Sequence, residues 1–301
     1  GSSIADTRRR FTLTAQDIYL LNPNTRTCPV FRSQADAELT KKIYCRVPVL
    51  IDECKGAVGN PWGISFMAMF HMSNDSGLFR TAAQLAAGSE ERAGANWIGR
   101  DGETWVPLYE AKMVHQFDHR WATYEDNGSD SRDMTDAEKR GPASFARPRY
   151  WIQERDREDA LEERTERQWL MGWRDITNAT NERTVIAGVV PRVGVGNNMP
   201  IWIVDGALSA SLSAALLANF CSLVLDFVAR HKVGGTHLNF FIFKQLPILH
   251  PNHYTPTDLT FIVPRVLELT YTARDMQPWA QDLGYDGETF PFDPERRSQL
   301  R

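Results

Sequence analysis

The residues best placed to do chemistry in this chain crowd the segment Lys112-Met113-Val114-His115-Gln116-Phe117-Asp118-His119-Arg120-Trp121. Lysine and arginine read guanine edges and glutamine reads adenine, so Lys112, His115, Gln116, His119 and Arg120 suit the major groove of a duplex. The polar edge of a sheet would carry the same composition. His115 and His119 lie four apart, a spacing that shares a face and is open to a metal ion. The glutamate of a metalloprotease helix is missing, and no cluster of carboxylates with a lysine accompanies the pair, so a metal-dependent hydrolase ranks below a recognition surface. A second cluster joins Arg174 and Asp175 to Thr177, Asn178, Asn181, Arg183 and Thr184, where short polar side chains between arginines suit phosphate contacts. A capped turn between a helix and a strand would look the same. Arg192, Asn197 and Asn198 extend that face or mark a hairpin tip. Gly235 and Thr236, with Gly234, offer backbone donors to a phosphate or simply end a helix. Lys244 and Gln245 sit in an apolar run, where the default is a solvated strand end.

Catalytic signatures are missing from the sequence. Asn60-Pro61-Trp62 invites comparison with the Asn-Pro-Pro-aromatic motif that holds a flipped adenine, but the second proline is absent and no strand clearly precedes it. A turn before a buried tryptophan accounts for it better. Gly194-Val195-Gly196 lacks the third glycine and the acidic residue of a cofactor loop, so a turn is expected there. Neither a Gly-x-Ser-x-Gly elbow nor a Cys-x-x-Cys pair occurs. The chain is expected to hold no catalytic residue, metal or cofactor of its own.

An α+β fold with mixed sheets is expected to position these groups. Leu208, Leu212, Leu216, Phe220, Leu223, Phe227 and Val228 recur at helical spacing and predict one long buried helix over about 207–232, capped by Asp205 and stopped by Gly234-Gly235. Ser33 predicts the start of a helix running to Tyr44. A helix is also expected over 153–173, and another over 264–273 in a partly helical C-terminal extension. Strands are expected over 47–51, 184–190, 201–204 and 238–249, with strand-like segments at 62–72 and 105–117. A short helix over 75–87 would end at Gly88, and 125–148 reads as a polar surface loop. Three segments follow: an N-terminal part over 1–104, a recognition domain over 105–251 and the helical extension over 252–301.

The 301 residues carry 34 basic and 38 acidic side chains, a formal net charge of -4. A protein that binds DNA through bulk charge is usually basic, so this count opposes DNA binding unless a local cationic face exists. Cys28, Cys45, Cys54 and Cys221 are expected to be reduced thiols of a cytoplasmic protein. The apolar run 207–229 carries Asn219, Asp226 and serines, which predicts a core helix rather than a membrane span. Gly1-Ser2-Ser3 looks like a cloning scar.

Several segments together resemble large single-chain N6-adenine DNA methyltransferases of type IIG and related restriction-modification systems, and of BREX and DISARM phage defence. Those segments are Asn22–Arg32, Pro107–Arg120, Arg174–Thr177 with Glu182–Ala187, and Lys232–Phe240 running on to Lys244–Ile248. The resemblance implies a target-recognition region that grips the duplex and reads its sequence. Methyl transfer from S-adenosylmethionine would belong to a catalytic domain missing from this chain. It implies double-stranded DNA and that catalytic domain as partners, with other defence-system proteins also conceivable and no membrane. Lys112, His115, Arg120, Arg174, Arg183 and Lys244 are the positions it places near DNA or the domain interface.

Overall fold

Every residue of Trp169–Trp173 and of Ala187–Pro191 is buried, so both faces of the sheet they form are covered. The computed structural model describes residues 10–88 and 90–301; Gly1-Ser2-Ser3 lies outside the described residues. In chain order the strands are β1 (Ser65–Met67), β2 (Glu91–Ala93), β3 (Asn96–Ile98), β4 (Thr104–Tyr109), β5 (Ala122–Tyr124), β6 (Ser131–Asp133), β7 (Tyr150–Gln153), β8 (Trp169–Trp173), β9 (Ala187–Pro191), β10 (Gly194–Val195) and β11 (Ile201–Ile203). One antiparallel sheet runs β1-β11-β8-β9, a mixed sheet runs β10-β4-β3-β2 with β7 also on β4, and β5 and β6 form a hairpin pair. With helices packed on these sheets, the fold is α+β.

The two-residue period of a strand sorts β8 between two cores. Trp169, Met171 and Trp173 enter a core with the helices Ala210–Phe220, Leu223–Lys232 and Pro256–Thr270. Leu170 faces the other way, joining Val190, Ile201 and Ile203 against Val106 and Leu108 of the mixed sheet. Trp173 centres the first core: it stacks on Phe243 at 3.8 Å and meets Phe66 edge-on at 5.7 Å. Leu50 and Trp62 share this core with Val266 and Trp279, so the three segments expected from the sequence are joined by one body of packing. In β4, Pro107 falls between the end of β3 pairing at Trp105 and the start of β10 pairing at Leu108. The ladder on that edge is already interrupted there, which suits a residue with no N–H.

Several elements differ from expectation. The long helix over 207–232 is two helices, Ala210–Phe220 and Leu223–Lys232, bent by 58° at Cys221-Ser222. Ser222 leaves helical geometry and its hydroxyl accepts from the Leu225 amide, capping the second helix, while Ser209 rather than Asp205 caps the first. Among the described residues no single helix is long and apolar enough to cross a membrane. The helix expected over 153–173 stops at Leu161 and gives way to β8. The strand expected over 238–249 opens instead with a short helix, Phe240–Phe243, capped by Asn239. Residues 47–51 run extended without joining a sheet: the Leu50 and Ile51 amides donate to the carbonyls of Leu246 and Lys244. The loop over 125–148 contains β6 and a helical turn, Asp136–Lys139, with a complete Thr135–Glu138 capping box. The helix expected over 264–273 starts earlier, at Pro256, and contains Pro264. Ser33 caps Gln34–Tyr44 as expected. All four cysteines are free, Cys221 buried and the others exposed.

Candidate nucleic-acid interface

The chain reverses between His115 and Asp118, whose amides and carbonyls bond to each other in both directions. Phe117 closes this turn at φ +59, left-handed backbone that costs an L-residue roughly 1–2 kcal/mol. The reversal sorts neighbouring side chains to opposite sides. Gln116 and Asp118 turn inward; His115 stays half-exposed, its ring 4.4 Å from that of Trp121.

That sorting corrects much of the expected recognition surface. Arg120 is fully buried, its guanidinium donating to the carbonyls of Lys139, Gly141, Ser144 and Thr272. Gln116 is buried and donates its amide to the Val185 carbonyl at 2.8 Å. His119 is buried against Asp275, with Nε2 2.9 Å from Oδ1. It therefore shares no site with His115, and among the described residues no group of three or more His, Cys, Asp or Glu side chains is placed to hold a metal ion. Thr184 is buried, its amide and that of Val185 donating to the Asp226 carboxylate. The Arg192 side chain is 8% exposed and committed to Glu158 and to the Thr165 and Arg167 carbonyls. Lys244 is half-buried and paired with Glu53 at 2.6 Å. Except for Lys244, whose partner Glu53 is exposed, acceptors within the fold hold these groups away from solvent.

Lys112, His115, Arg174, Arg183, Gly235 and Thr236 keep exposed or partly exposed positions. Arg174 donates Nε to the Val114 carbonyl and Nη2 to that of Lys112, so its guanidinium is held beside the turn by backbone alone. Lys112 lies over the Tyr124 ring at 4.5 Å. The Arg183 guanidinium makes no hydrogen bond or ion pair among the described residues, and its Nη1 is buried without an acceptor. Arg301 completes the set: its charge acts with that of Arg174 on His115, and with that of Arg183 on Cys221. Nothing in the sequence around Arg301 marked it, because only tertiary packing brings the chain's last residue to the turn. Among the described residues none of these four cations pairs with a carboxylate, although the Asp133 charge acts on Arg174.

Two chain reversals extend this face. The Leu238 amide donates to the Asp175 carbonyl and the Thr177 amide to that of Thr236, setting 175–177 beside 236–238. His237 is exposed there and bonds Asp175 at 2.6 Å, next to exposed Ile176. Beyond them opens a groove of about 560 Å³ lined by Gly234, Gly235, Thr236, Val30 and exposed Phe241. Beneath it the Lys232 ammonium is buried and donates to the Leu21 and Gln245 carbonyls and to Asn22 Oδ1. The segments 22–32, 107–120, 174–187 and 232–248, far apart in sequence, are thus bonded into one region.

The catalytic-looking motifs serve packing. Asn60 bonds the Ile64 amide and carbonyl in its own turn, and the buried Trp62 indole donates to the Leu249 carbonyl. Gly194 begins β10 rather than a turn; a Cβ there would come within 2.5 Å of Ile152 Cδ1. No protein-family model matches the chain, and a comparison with curated proteins finds no match.

Burial, then the charges of Arg174 and Arg301, lower the His115 pKa to about 4. The ring is neutral at pH 7. A histidine with a depressed folded pKa binds fewer protons folded than unfolded, so it withdraws stability as pH falls from about 6.5 toward 4. Proton NMR titration of His115 is expected to give a midpoint near that lower value; a midpoint at about 6 or above would contradict this environment.

Proposed function

We propose that this chain is the duplex-recognition region of an adenine-N6 DNA methyltransferase of the restriction or phage-defence kind. Methyl transfer from S-adenosylmethionine belongs, on this reading, to a catalytic domain that these residues do not form. The observation that carries it is the set of four cations, Lys112, Arg174, Arg183 and Arg301, without carboxylate partners among the described residues; the charges of Arg174 and Arg301 act on His115, and those of Arg183 and Arg301 on Cys221. A half-buried arginine with no acceptor is costly unless a ligand supplies one, and a phosphate does so with matched geometry. The convergence of the four resembling segments on this region also supports the reading. Lys112, Arg183 and Arg301 would hold phosphates, and Gly234–Thr236 would offer backbone donors. Arg174 and His115, fixed by backbone and by Trp121, would face base edges.

Anisotropy with a labelled duplex of roughly 20 base pairs, across about 50–200 mM salt, tests this. Affinity is expected to fall linearly on a log–log plot, and Lys112→Ala and Arg183→Ala are each expected to shrink the slope by about 1. Slopes unchanged in both variants would sink the assignment. A second reading, docking on another protein of a defence complex, is favoured by exposed Ile176 and Phe241 on the same region. It predicts weak dependence of duplex affinity on salt.

A further inference from the structure

Away from the cationic turn, a groove of about 1010 Å³ runs along Glu158–Gln168 and faces Pro278–Asp282. Six carboxylates against three arginines line it, a net charge of -3. Arg192 is committed to Glu158, and Arg167 lies 3.5 Å from Asp282. Asp159, Glu162, Glu163 and Glu166 are exposed and make no ion pair among the described residues. An adjoining cavity of about 360 Å³ shares Gln168, Arg192 and Pro278 with the groove, so the two meet at these residues.

The cavity is built differently. Phe145, Pro107 and Pro191 give it apolar walls; Glu154 is paired there with Arg157 at 2.9 Å, which leaves Asp275 as the carboxylate not matched by an arginine of the cavity wall. Tyr109 lines it while only 2% exposed, and its hydroxyl makes no hydrogen bond among the described residues. His119 bonds Oδ1 of Asp275, and Oδ2 has no partner among the described residues. Burial pushes the Tyr109 pKa well up, so the hydroxyl stays neutral and able to donate or accept.

We infer that this trough is the docking groove for an extended cationic polypeptide segment, one arginine or lysine of which enters the cavity between Tyr109 and Asp275. The apolar walls suit the aliphatic stem of such a side chain, and the hydroxyl and the carboxylate oxygens suit its N–H groups. Carboxylates continuing along Asp159–Glu166 suit further cations spaced along a chain rather than a single small amine, and their sign repels nucleic acid. The inference stands apart from the DNA-binding reading, since the two surfaces share no residue.

A fluorescein-labelled peptide alternating glycine with arginine and lysine, and its glutamate counterpart, serve as probes by anisotropy at low salt. The basic peptide is expected to bind and the acidic one not. Glu162→Gln, Glu163→Gln and Glu166→Gln together, all exposed and so tolerated by the fold, should weaken binding about tenfold. Tyr109→Phe should weaken it about threefold, with an unchanged near-ultraviolet dichroism spectrum showing that the cavity is intact. Equal binding by the triple variant, or by a correctly folded Tyr109→Phe, overturns the proposal.

Discussion

Arg120→Ala is expected to lower folding stability by about 3–5 kcal/mol while leaving the duplex affinity of the folded protein unchanged. The guanidinium donates at 2.7 Å to the carbonyls of Lys139 and Ser144, at 2.9 Å to that of Thr272 and at 3.0 Å to that of Gly141. Three of those acceptors lie in the polar stretch 125–148 and the fourth near the C-terminal end, so one side chain ties both to the His115–Asp118 turn. Truncation would leave three carbonyl oxygens, those of Lys139, Ser144 and Thr272, in or beside the core without a donor, each costing about 1–3 kcal/mol less whatever relaxation and entering water recover; that of Gly141 keeps the Ser144 amide. Urea unfolding checks this. A loss under about 1 kcal/mol, within the range of an ordinary surface substitution, would mean that the network is dispensable.

The second large effect belongs to the pair Asp118–Lys139, 2.7 Å apart with both side chains 4% exposed. Burial alone would raise the Asp118 pKa; the charge and hydrogen bond of Lys139 overcome it and hold the carboxyl below its ordinary value. Asp118→Asn would strand a buried ammonium between the rings of Trp121 and Phe292, at an expected cost of about 3–5 kcal/mol. Adding Lys139→Met should recover much of that loss, because the stranded charge is removed. The pair also sets a pH limit. With its folded pKa below the unfolded value of about 3.9, Asp118 contributes stability that is complete above that value and is lost as pH falls through the folded pKa. The wild-type unfolding free energy should therefore drop more steeply below about pH 4 than that of the double variant. Parallel pH profiles, or a double variant no more stable than Asp118→Asn, would contradict the pairing.

Local signals were legible where one residue decides an element. Ser33 marked its helix, and the α+β character followed from the mixture of periods. The break at Cys221-Ser222 was not legible, because the apolar spacing continues across it from Phe220 to Leu223 and only the Ser222 cap separates the two helices. The strand β8 was hidden by the charged residues that precede it: Glu162, Arg164 and Glu166 prolong a solvated helical pattern beyond its end at Leu161. The site was legible in part. Arginine and lysine types could be found, but nothing in Lys112–Trp121 distinguishes the inward Arg120 from the outward Lys112; the left-handed Phe117 turn does that. Net charge says little about either surface, because it averages a trough of net charge -3 with a cationic turn elsewhere.

Hydrogen exchange with and without a duplex bears most directly on the claim that the cationic turn and the glycine-rich groove meet DNA. Saturating duplex is expected to slow exchange of the amides in 112–116 and 234–237 while leaving 158–166 unchanged. Unaltered exchange at both former segments, with affinity indifferent to salt, would contradict it.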